Sequence, residues 1–521
     1  MQDAPPIDVG AAEWKSLLGV LQARVPDREV WAFGSRAKWK AKEFSDLDLA
    51  IDGKTPIPLS VLADLSDDFD EFEFRFRVDV VDLLTVSPEF RRRIEQDRVL
   101  IQRASEVTFV HLGSVCSKIG SGATPRGGKE VYLDHGPVSL IRSQNIYNDG
   151  FREDGLAFID YAQAEKLANV EVLENDVLLN ITGDSVARCC MAPSKFLPAR
   201  VNQHVAIIRT DPARLNPRFL RFFLVSELQQ DRMLALASSG ATRNALTKEM
   251  IQSFLVPTPP IHEQNAVATL LTNIENRIET LYASNAVLEA IARAIFKSWF
   301  VDSDPVRAKA EGREPDGMDA DTAALFPSEF EETPLGPVPC GWNVVNLGQL
   351  AEFAYGKPLK AENRNGGRFP VMGSNGRVGW HDEALVLGPG IVVGRKGNPG
   401  TVTWVDSDFF PIDTTFFVRP RNLARGLYIL KNQLDFLNLP DLSADSAVPG
   451  LNREMAYQTR LANPPKLIAN IFQDIVDPLV AKAAQNEGLV AILADLRDTL
   501  LPRLISGKLR VQEAEAMLTA V

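Results

Sequence analysis

Cysteine is scarce in this chain: four among 521 residues, with none of Cys116, Cys189, Cys190 and Cys340 in a CxxC or Cys/His pattern. That spacing excludes a zinc ribbon and offers no framework for disulfide stapling, so buried reduced thiols are expected. Long apolar runs are missing too. No window approaches the ~18 consecutive apolar residues of a membrane span, and Met1-Gln-Asp-Ala-Pro-Pro lacks a basic, apolar signal. The cytoplasm is the expected location, with no membrane partner. Basic charge is in deficit, with 56 Lys and Arg against 68 Asp and Glu and a net charge of −12. This argues against simple non-specific DNA binding by the whole chain. The deficit is unevenly placed, because residues 301–333 hold ten acidic residues against Arg307, Lys309 and Arg313. Segments 104–258 and 340–463 are near neutral or slightly positive. Screening limits the reach of distant charge to ~8–10 Å, so a local basic face remains able to bind phosphates.

Two enzymatic signatures are absent as well. There is no glycine loop for S-adenosylmethionine and no Asn/Asp-Pro-Pro-Tyr/Phe box for adenine methylation. Asn463-Pro464-Pro465-Lys466 lacks the aromatic that stacks on a flipped base, and reads as a helix entry, where proline suits the first turn. Gly122-Ala-Thr-Pro-Arg-Gly-Gly-Lys129 has one residue too many for a Walker A loop, and Glu130 follows where Ser or Thr belongs.

What the chain does contain is a duplication. Leu246-Thr-Lys-Glu-Met250 recurs 205 positions on as Leu451-Asn-Arg-Glu-Met455, and Pro259-Pro260 recurs at the same offset as Pro464-Pro465. Each proline pair opens a long helical pattern. One seam runs Leu271, Ile274, Ile278, Leu281, Asn285, Leu288, Ala292, Ile295, Trp299. The other runs Val476, Leu479, Ala483, Asn486, Val490, Leu493, Arg497, Leu500, Leu504. Alternating steps of three and four mark a coiled-coil seam, and the spacing predicts two antiparallel helices of ~60 Å at 1.5 Å per residue. Asn285 and Asn486 are expected to help set register, without needing to face each other.

At 521 residues the chain should hold several domains, since single cores stop growing near roughly 250–300 residues. The pattern divides it into an α/β segment at 1–103, strand-rich segments at 104–258 and 340–463, long helices at 259–300 and 464–513, and a Pro/Gly/acid-rich connector at 301–339. Within 1–103, a helix near 14–24, strands at 29–33, 47–51 and 77–83, and a helix from Pro88 are predicted. The two globules echo each other internally: Phe109-Val-His-Leu-Gly113 matches Asn343-Val-Val-Asn-Leu-Gly348, and Asp176-Val-Leu-Leu-Asn-Ile-Thr-Gly183 matches Gly390-Ile-Val-Val-Gly-Arg-Lys-Gly397. The fold class expected is α+β multidomain: a small α/β domain, then two strand-rich domains separated by two long helices.

Three motifs carry a family resemblance over about residues 104–510. Asp495-Leu-Arg-Asp-Thr-Leu-Leu-Pro-Arg-Leu-Ile-Ser-Gly507-Lys-Leu resembles the C-terminal signature of type I restriction–modification specificity subunits. Pro260-Ile-His-Glu-Gln264 through Lys297-Ser-Trp-Phe-Val-Asp302, and Pro305-Val-Arg-Ala-Lys-Ala-Glu-Gly312 on to Leu325-Phe-Pro, resemble their central region. The resemblance implies two target-recognition domains that each read half of a bipartite site in double-stranded DNA. It also implies helices that dock two DNA adenine methyltransferase subunits, with motor–nuclease subunits joining, and a specificity portion with no catalysis or cofactor of its own.

Base edges are read by Arg, Lys, Asn and Gln, and phosphates by Arg, Lys, Ser and backbone N–H. The turn candidates for DNA contact are Arg126, Lys129, Arg142, Gln144, Asn145, Arg188 and Arg243 in the first globule. In the second they are Lys357, Lys360, Arg364, Ser374, Asn375, Arg377, Arg395 and Lys396.

Residues 1–103 have no counterpart in the second half. There Phe33-Gly34-Ser35-Arg36-Ala37, Ser45-Asp46-Leu47-Asp48-Leu49 and Val78-Asp79-Val80-Val81-Asp82 resemble a minimal nucleotidyltransferase of the polymerase-β superfamily. Asp46 and Asp48 at i,i+2 share one strand face. With Asp79 from a neighbouring strand, or alternatively Asp82, they form the expected catalytic carboxylates and a Mg²⁺ clamp for a nucleoside triphosphate. Gly34 and Ser35 would offer N–H groups to the phosphates. Trp39 stands where such domains carry a second glycine, and bulk there would narrow nucleotide access. The leading reading is a DNA-specificity subunit with a fused nucleotidyltransferase-like domain. Two competing readings are a nucleotidyltransferase acting on a partner protein or nucleic acid, with the duplicated part as a targeting module, and a plain coiled-coil scaffold.

Overall fold

A computed structural model of the chain describes residues 5–26, 28–42, 45–53, 55–71, 74–104, 107–238, 245–364, 366–421, 426–442 and 450–518. The chain forms two compact units, 1–276 with 494–521, and 277–493. Each unit takes one end of both long helices, Ile261–Phe296 and Lys466–Ile505.

In the first unit the N-terminal sheet runs in the order Val78–Asp82, Leu47–Asp52, Glu29–Phe33, Val99–Gln102. Its first pair is parallel and the others antiparallel. Strand periodicity sorts the side chains: Leu47, Leu49 and Ile51 enter the core with Leu17, Leu21 and Leu65, which leaves Asp48 on the opposite face. Helix Ala11–Arg24 of this domain packs on helix Glu227–Ser238 of the next. Lys15 Nζ lies 2.5 Å from Glu227 Oε1, and a Cβ on Gly19 would stand 3.2 Å from Leu228 Cδ1. Arg232 sits close to Arg24, Asp64 and Asp68, and its burial, with Arg24 nearby, lowers its pKa to about 10. Arg24 itself bonds Asp64 at 2.8 Å and Asp68 at 2.6 Å. The N-terminal domain is thus packed on its neighbour through a built interface.

The first strand-rich domain holds two four-stranded sheets. One runs Cys189–Met191, Val177–Asn180, Val205–Thr210, Cys116–Ser121; the other runs Ala157–Ile159, Val138–Ile141, Ala199–Val201, Glu171–Val172. The second strand-rich domain repeats the plan. Val402–Val405, Gly390–Gly394, Thr415–Pro420, Ala351–Tyr355 form one sheet, and Gly376–His381, Phe369–Gly373, Phe410–Pro411 the other. A parallel strand pairing recurs as well, Ala199–Val201 with Val138–Ile141 and Phe410–Pro411 with Phe369–Gly373. The 205-residue echo has a structural cause. Leu246 N donates to Ile181 O at 2.9 Å, and Leu451 N to Arg395 O at 3.0 Å. Thr247 and Asn452 then cap the short helices that follow.

Every residue of both predicted seams is buried or half-buried. In the second unit the helices run antiparallel: Asn285 meets Asn486, while Phe296 meets Phe472. The two asparagines do face each other. Asn486 Nδ2 donates to Asn285 Oδ1 at 2.8 Å, and Asn285 Nδ2 to Ala483 O at 3.1 Å. The connector is more ordered than its composition suggests. Residues 301–339 form helices Asp304–Ala310 and Ala320–Ala324 and the hairpin Phe330–Thr333 with Gly336–Pro339. They bury Val306, Phe326 and Val338 beside Trp299 and Phe472. The acidic residues mislead because they decorate the outside or cap: Asp319 caps Ala320–Ala324.

Among the described residues, no helix is long and apolar enough to cross a membrane. All four cysteines are free thiols; Cys189 and Cys190 are buried, and burial pushes the Cys190 thiol up to about 12.

Candidate nucleic-acid interface and carboxylate site

In the N-terminal domain Asp48 lies within electrostatic reach of Asp79 and Asp46. The parallel pairing places Asp48 directly opposite Asp79. Burial, then Asp79 and Asp46, raises the Asp48 pKa above the usual carboxylate range. Asp46 is positioned by its neighbours: Arg36 Nε donates to Ser45 O and Arg36 Nη1 to Asp8 O, both at 2.8 Å, while its guanidinium lies 3.8 Å from the Phe76 ring centroid. Gly34 is required here, since a Cβ at φ +76° would fall 2.3 Å from Asp48 Oδ2. Ser35 is half-buried in the same turn, and its carbonyl accepts from Lys40 N at 3.0 Å.

Asp82 serves the fold instead, accepting from Ile57 N at 2.7 Å and Leu84 N at 2.9 Å. The three-carboxylate clamp is not preassembled. Asp79 Oδ1 lies 3.1 Å from Arg77 Nε, and among the described residues no group of three His, Cys, Asp or Glu stands ready to hold a metal ion. The donor set still suits a hard cation, because like charge already strains Asp48. Trp39 takes the left-handed conformation (φ 54°) that a glycine would favour. Its ring is 60% exposed, and its Nε1 donates to Pro6 O at 3.3 Å.

Equivalent backbone bonds align one end of the two strand-rich domains. Ile181 N donates to His204 O and Arg395 N to Thr414 O; Ala123 N donates to Val201 O and Lys357 N to Pro411 O. Gly122 and Gly356 each press against the facing turn, where a Cβ would stand 2.1 Å from Val201 O or Ile412 O. In the second domain this end is cationic. Lys357 and Lys396 are exposed. Arg395 lies 4.9 Å and Arg453 5.1 Å from the ring centroid of Tyr355, which is itself 51% exposed. An exposed aromatic flanked by two guanidiniums offers both stacking and phosphate contact.

The remaining sequence candidates divide sharply. Arg126, Lys129, Gln144, Lys360, Asn375 and Arg377 are exposed, with Arg377 4.7 Å from the Trp380 ring centroid and Lys360 paired to Glu362. Gln144 also donates to Gly155 O at 3.2 Å. Arg188 is half-buried over Tyr147, 4.6 Å from its centroid. Two candidates are corrected. Asn145 is fully buried, with its amide bonded to Arg142 N, Arg152 O and Asp154 O. Ser374 is buried and donates to Lys396 O and Thr414 O. Arg142 and Arg364 spend their guanidiniums on Gly155 O and Leu359 O, so they hold loops. Arg243 lies outside the described residues.

Residues 104–290 match the type I restriction modification DNA specificity domain. The HindI specificity subunit of Haemophilus influenzae is 26% identical over 383 residues, covering 61% of this chain and 80% of that one. The MjaIX specificity subunit of Methanocaldococcus jannaschii is 23% identical over 315 residues, covering 56% and 69%. The chain carries a type I restriction modification DNA specificity domain and is similar to type I specificity subunits. Its N-terminal domain belongs elsewhere. Residues 20–106 match the polymerase beta nucleotidyltransferase family. The probable protein adenylyltransferase MntA of Haemophilus influenzae is 43% identical over 96 residues, 18% of this chain and 84% of that protein.

Two residues of the cationic end were missed in the sequence. Tyr355 and Arg453 stand 98 positions apart, and only the strand pairing of Ala351–Tyr355 with Thr415–Pro420 and the Lys396–Gly450 bridge bring them together. The usable signal was the echo itself, since Arg453 lies inside the repeated Leu-Asn-Arg-Glu-Met run.

Proposed function

We propose that this chain is a type I specificity subunit that reads a bipartite site in double-stranded DNA, one half with each strand-rich domain. In this reading the paired helices fix the spacer and dock two adenine methyltransferase subunits, and motor–nuclease subunits complete the restriction assembly in the cytoplasm. The observation that carries it is the duplicated strand order, with the same backbone bonds framing different side chains in the two copies. One frame with two surfaces suits an asymmetric two-part target. Arg395→Ala combined with Lys396→Ala is expected to weaken DNA binding by the assembled methylase. It should also flatten the salt dependence, by roughly 0.9 in log–log slope per lost phosphate contact. Unchanged affinity and slope would remove both residues from the interface.

For the N-terminal domain the reading is Mg²⁺-dependent nucleotidyl transfer to a protein, the acceptor class in the name of the relative, the probable protein adenylyltransferase MntA. A hydroxyl oxygen of that protein would bond the α-phosphorus of a nucleoside triphosphate as the bond to pyrophosphate breaks, its proton passing to an Asp carboxylate of the site. Bound divalent cations would supply charge neutralisation at Asp46, Asp48 and Asp79. Gly34 leaves room beside Asp48, Arg36 holds the turn against Ser45, and Asp79 must exchange its Arg77 contact for the cation.

A further inference from the structure

At the end of the first strand-rich domain that matches the cationic end of the second, three of the turn cations are replaced, while Lys248 stands where the second domain has Arg453. Lys357, Arg395 and Lys396 have Ala123, Ile181 and Thr182 as their counterparts. In their place stands a chain of neutral hydrogen bonds. Thr124 Oγ1 donates to Gln203 Oε1 at 2.5 Å, Gln203 Nε2 donates to His204 Nε2 at 2.9 Å, and His204 Nδ1 is 2.6 Å from Thr182 Oγ1. With Nε2 accepting from the amide, the imidazole proton sits on Nδ1 and is donated to Thr182. The turn beneath is rigid: His204 N donates to Asn202 Oδ1 at 3.1 Å, and Gly122 abuts Val201 O and Asn202 O.

This chain fixes the orientation of an exposed amide. Gln203 is exposed, and its two inner bonds use one N–H and one lone pair. The carboxamide has a second N–H and a second lone pair for a partner. A donor beside an acceptor matches the N7 acceptor and N6 donor that adenine presents in the major groove. Exposed Arg126 and Lys129, two and five residues beyond Thr124, could take flanking phosphates.

We propose that the Thr124–Gln203–His204–Thr182 network is the base-reading cluster of the first domain and presents Gln203 to an adenine of the first half-site. The inference rests on the DNA-reading function above. It also assigns the two domains different physics: a preorganised neutral amide in the first, cationic and aromatic contact in the second.

The test uses the full chain assembled with its methyltransferase subunits and a panel of duplexes, each changed at one base pair of the site. Gln203→Ala should lose discrimination at one A·T pair of the first half-site, on the order of 10- to 100-fold, the worth of one bidentate pair. Preferences in the second half-site and the salt slope should stay as in the unsubstituted complex. Gln203→Glu should shift that same position toward cytosine, whose N4 donates to a carboxylate. Unaltered preferences at every position would overturn the assignment. Uniform loss of binding to all duplexes, with an unchanged melting temperature, would overturn it as well. If the unsubstituted complex itself prefers no bipartite duplex, the DNA-reading function fails, an outcome distinct from failure at Gln203 alone.

Discussion

Asp48→Asn is expected to abolish nucleotidyl transfer by the N-terminal domain and, at neutral pH, to raise that domain's melting temperature. The two effects have one cause. Asp48 is desolvated and faces Asp79 and Asp46, so its folded pKa lies above the unfolded value. A carboxylate raised in this way favours the fold while protonated, below its unfolded pKa. That contribution is lost as pH rises through the folded pKa. At neutral pH the ionised group therefore costs stability, and asparagine removes the cost while keeping the shape. In the proposed site the same substitution would remove an oxygen ligand for the cation that transfer chemistry needs. Incubation of the full chain with Mg²⁺ and labelled nucleoside triphosphates reads the first effect, and calorimetry at several pH values reads the second. The stabilisation should shrink as pH falls through the range where Asp48 protonates. Added Mg²⁺ should stabilise the unsubstituted chain more than the variant. A variant that still transfers label would remove Asp48 from the site.

Phe472→Ala is expected to cost about 3–5 kcal/mol, the range for deleting a fully buried aromatic. Phe472 is fully buried where the second helix meets the end of the first. Its ring centroid lies 5.7 Å from Phe296, 6.3 Å from Trp299 and 5.2 Å from Phe300. The stretch Lys297–Val301 is a π-helix, and Trp299 is buried there beside Phe326. Truncating Phe472 opens a cavity that this π-turn and the ordered connector share. Urea unfolding of the full chain should show an earlier transition for the part containing 277–493, while Phe472→Leu should recover much of the loss. Equal midpoints for the unsubstituted chain and Phe472→Ala would contradict the packing described.

Much of the architecture was legible because duplication leaves residue-level traces. Leu246 and Leu451 recur at equivalent positions, where each side chain is buried and each N–H donates to the carbonyl that follows the equivalent strand. The seam was legible because burial on a long helix imposes a fixed period. Strands 29–33 and 47–51 were legible by alternation, and the structure extends the second by one residue to Asp52. The Asn285–Asn486 bond was not, because a seam pattern gives each helix its face but not the stagger between the two.

Single residues proposed for DNA contact were the least legible. Asn145 has the composition of an exposed turn, yet its amide satisfies backbone carbonyls at Arg152 and Asp154 inside a tight loop. Gln203 drew no notice, since its partner Thr124 is 79 positions away and only sheet pairing brings them together. The ordered connector was hidden by its ten acidic residues, which face outward while a few apolar side chains decide the packing.

The most direct test of the central claim is a genome-wide map of methylated adenines in cells making this chain with its methyltransferase subunits. A motif of two unlike half-sites at a fixed spacing, lost when the chain is omitted, is the predicted result. Methylation at one continuous motif, or a bipartite pattern that persists without this chain, would contradict it.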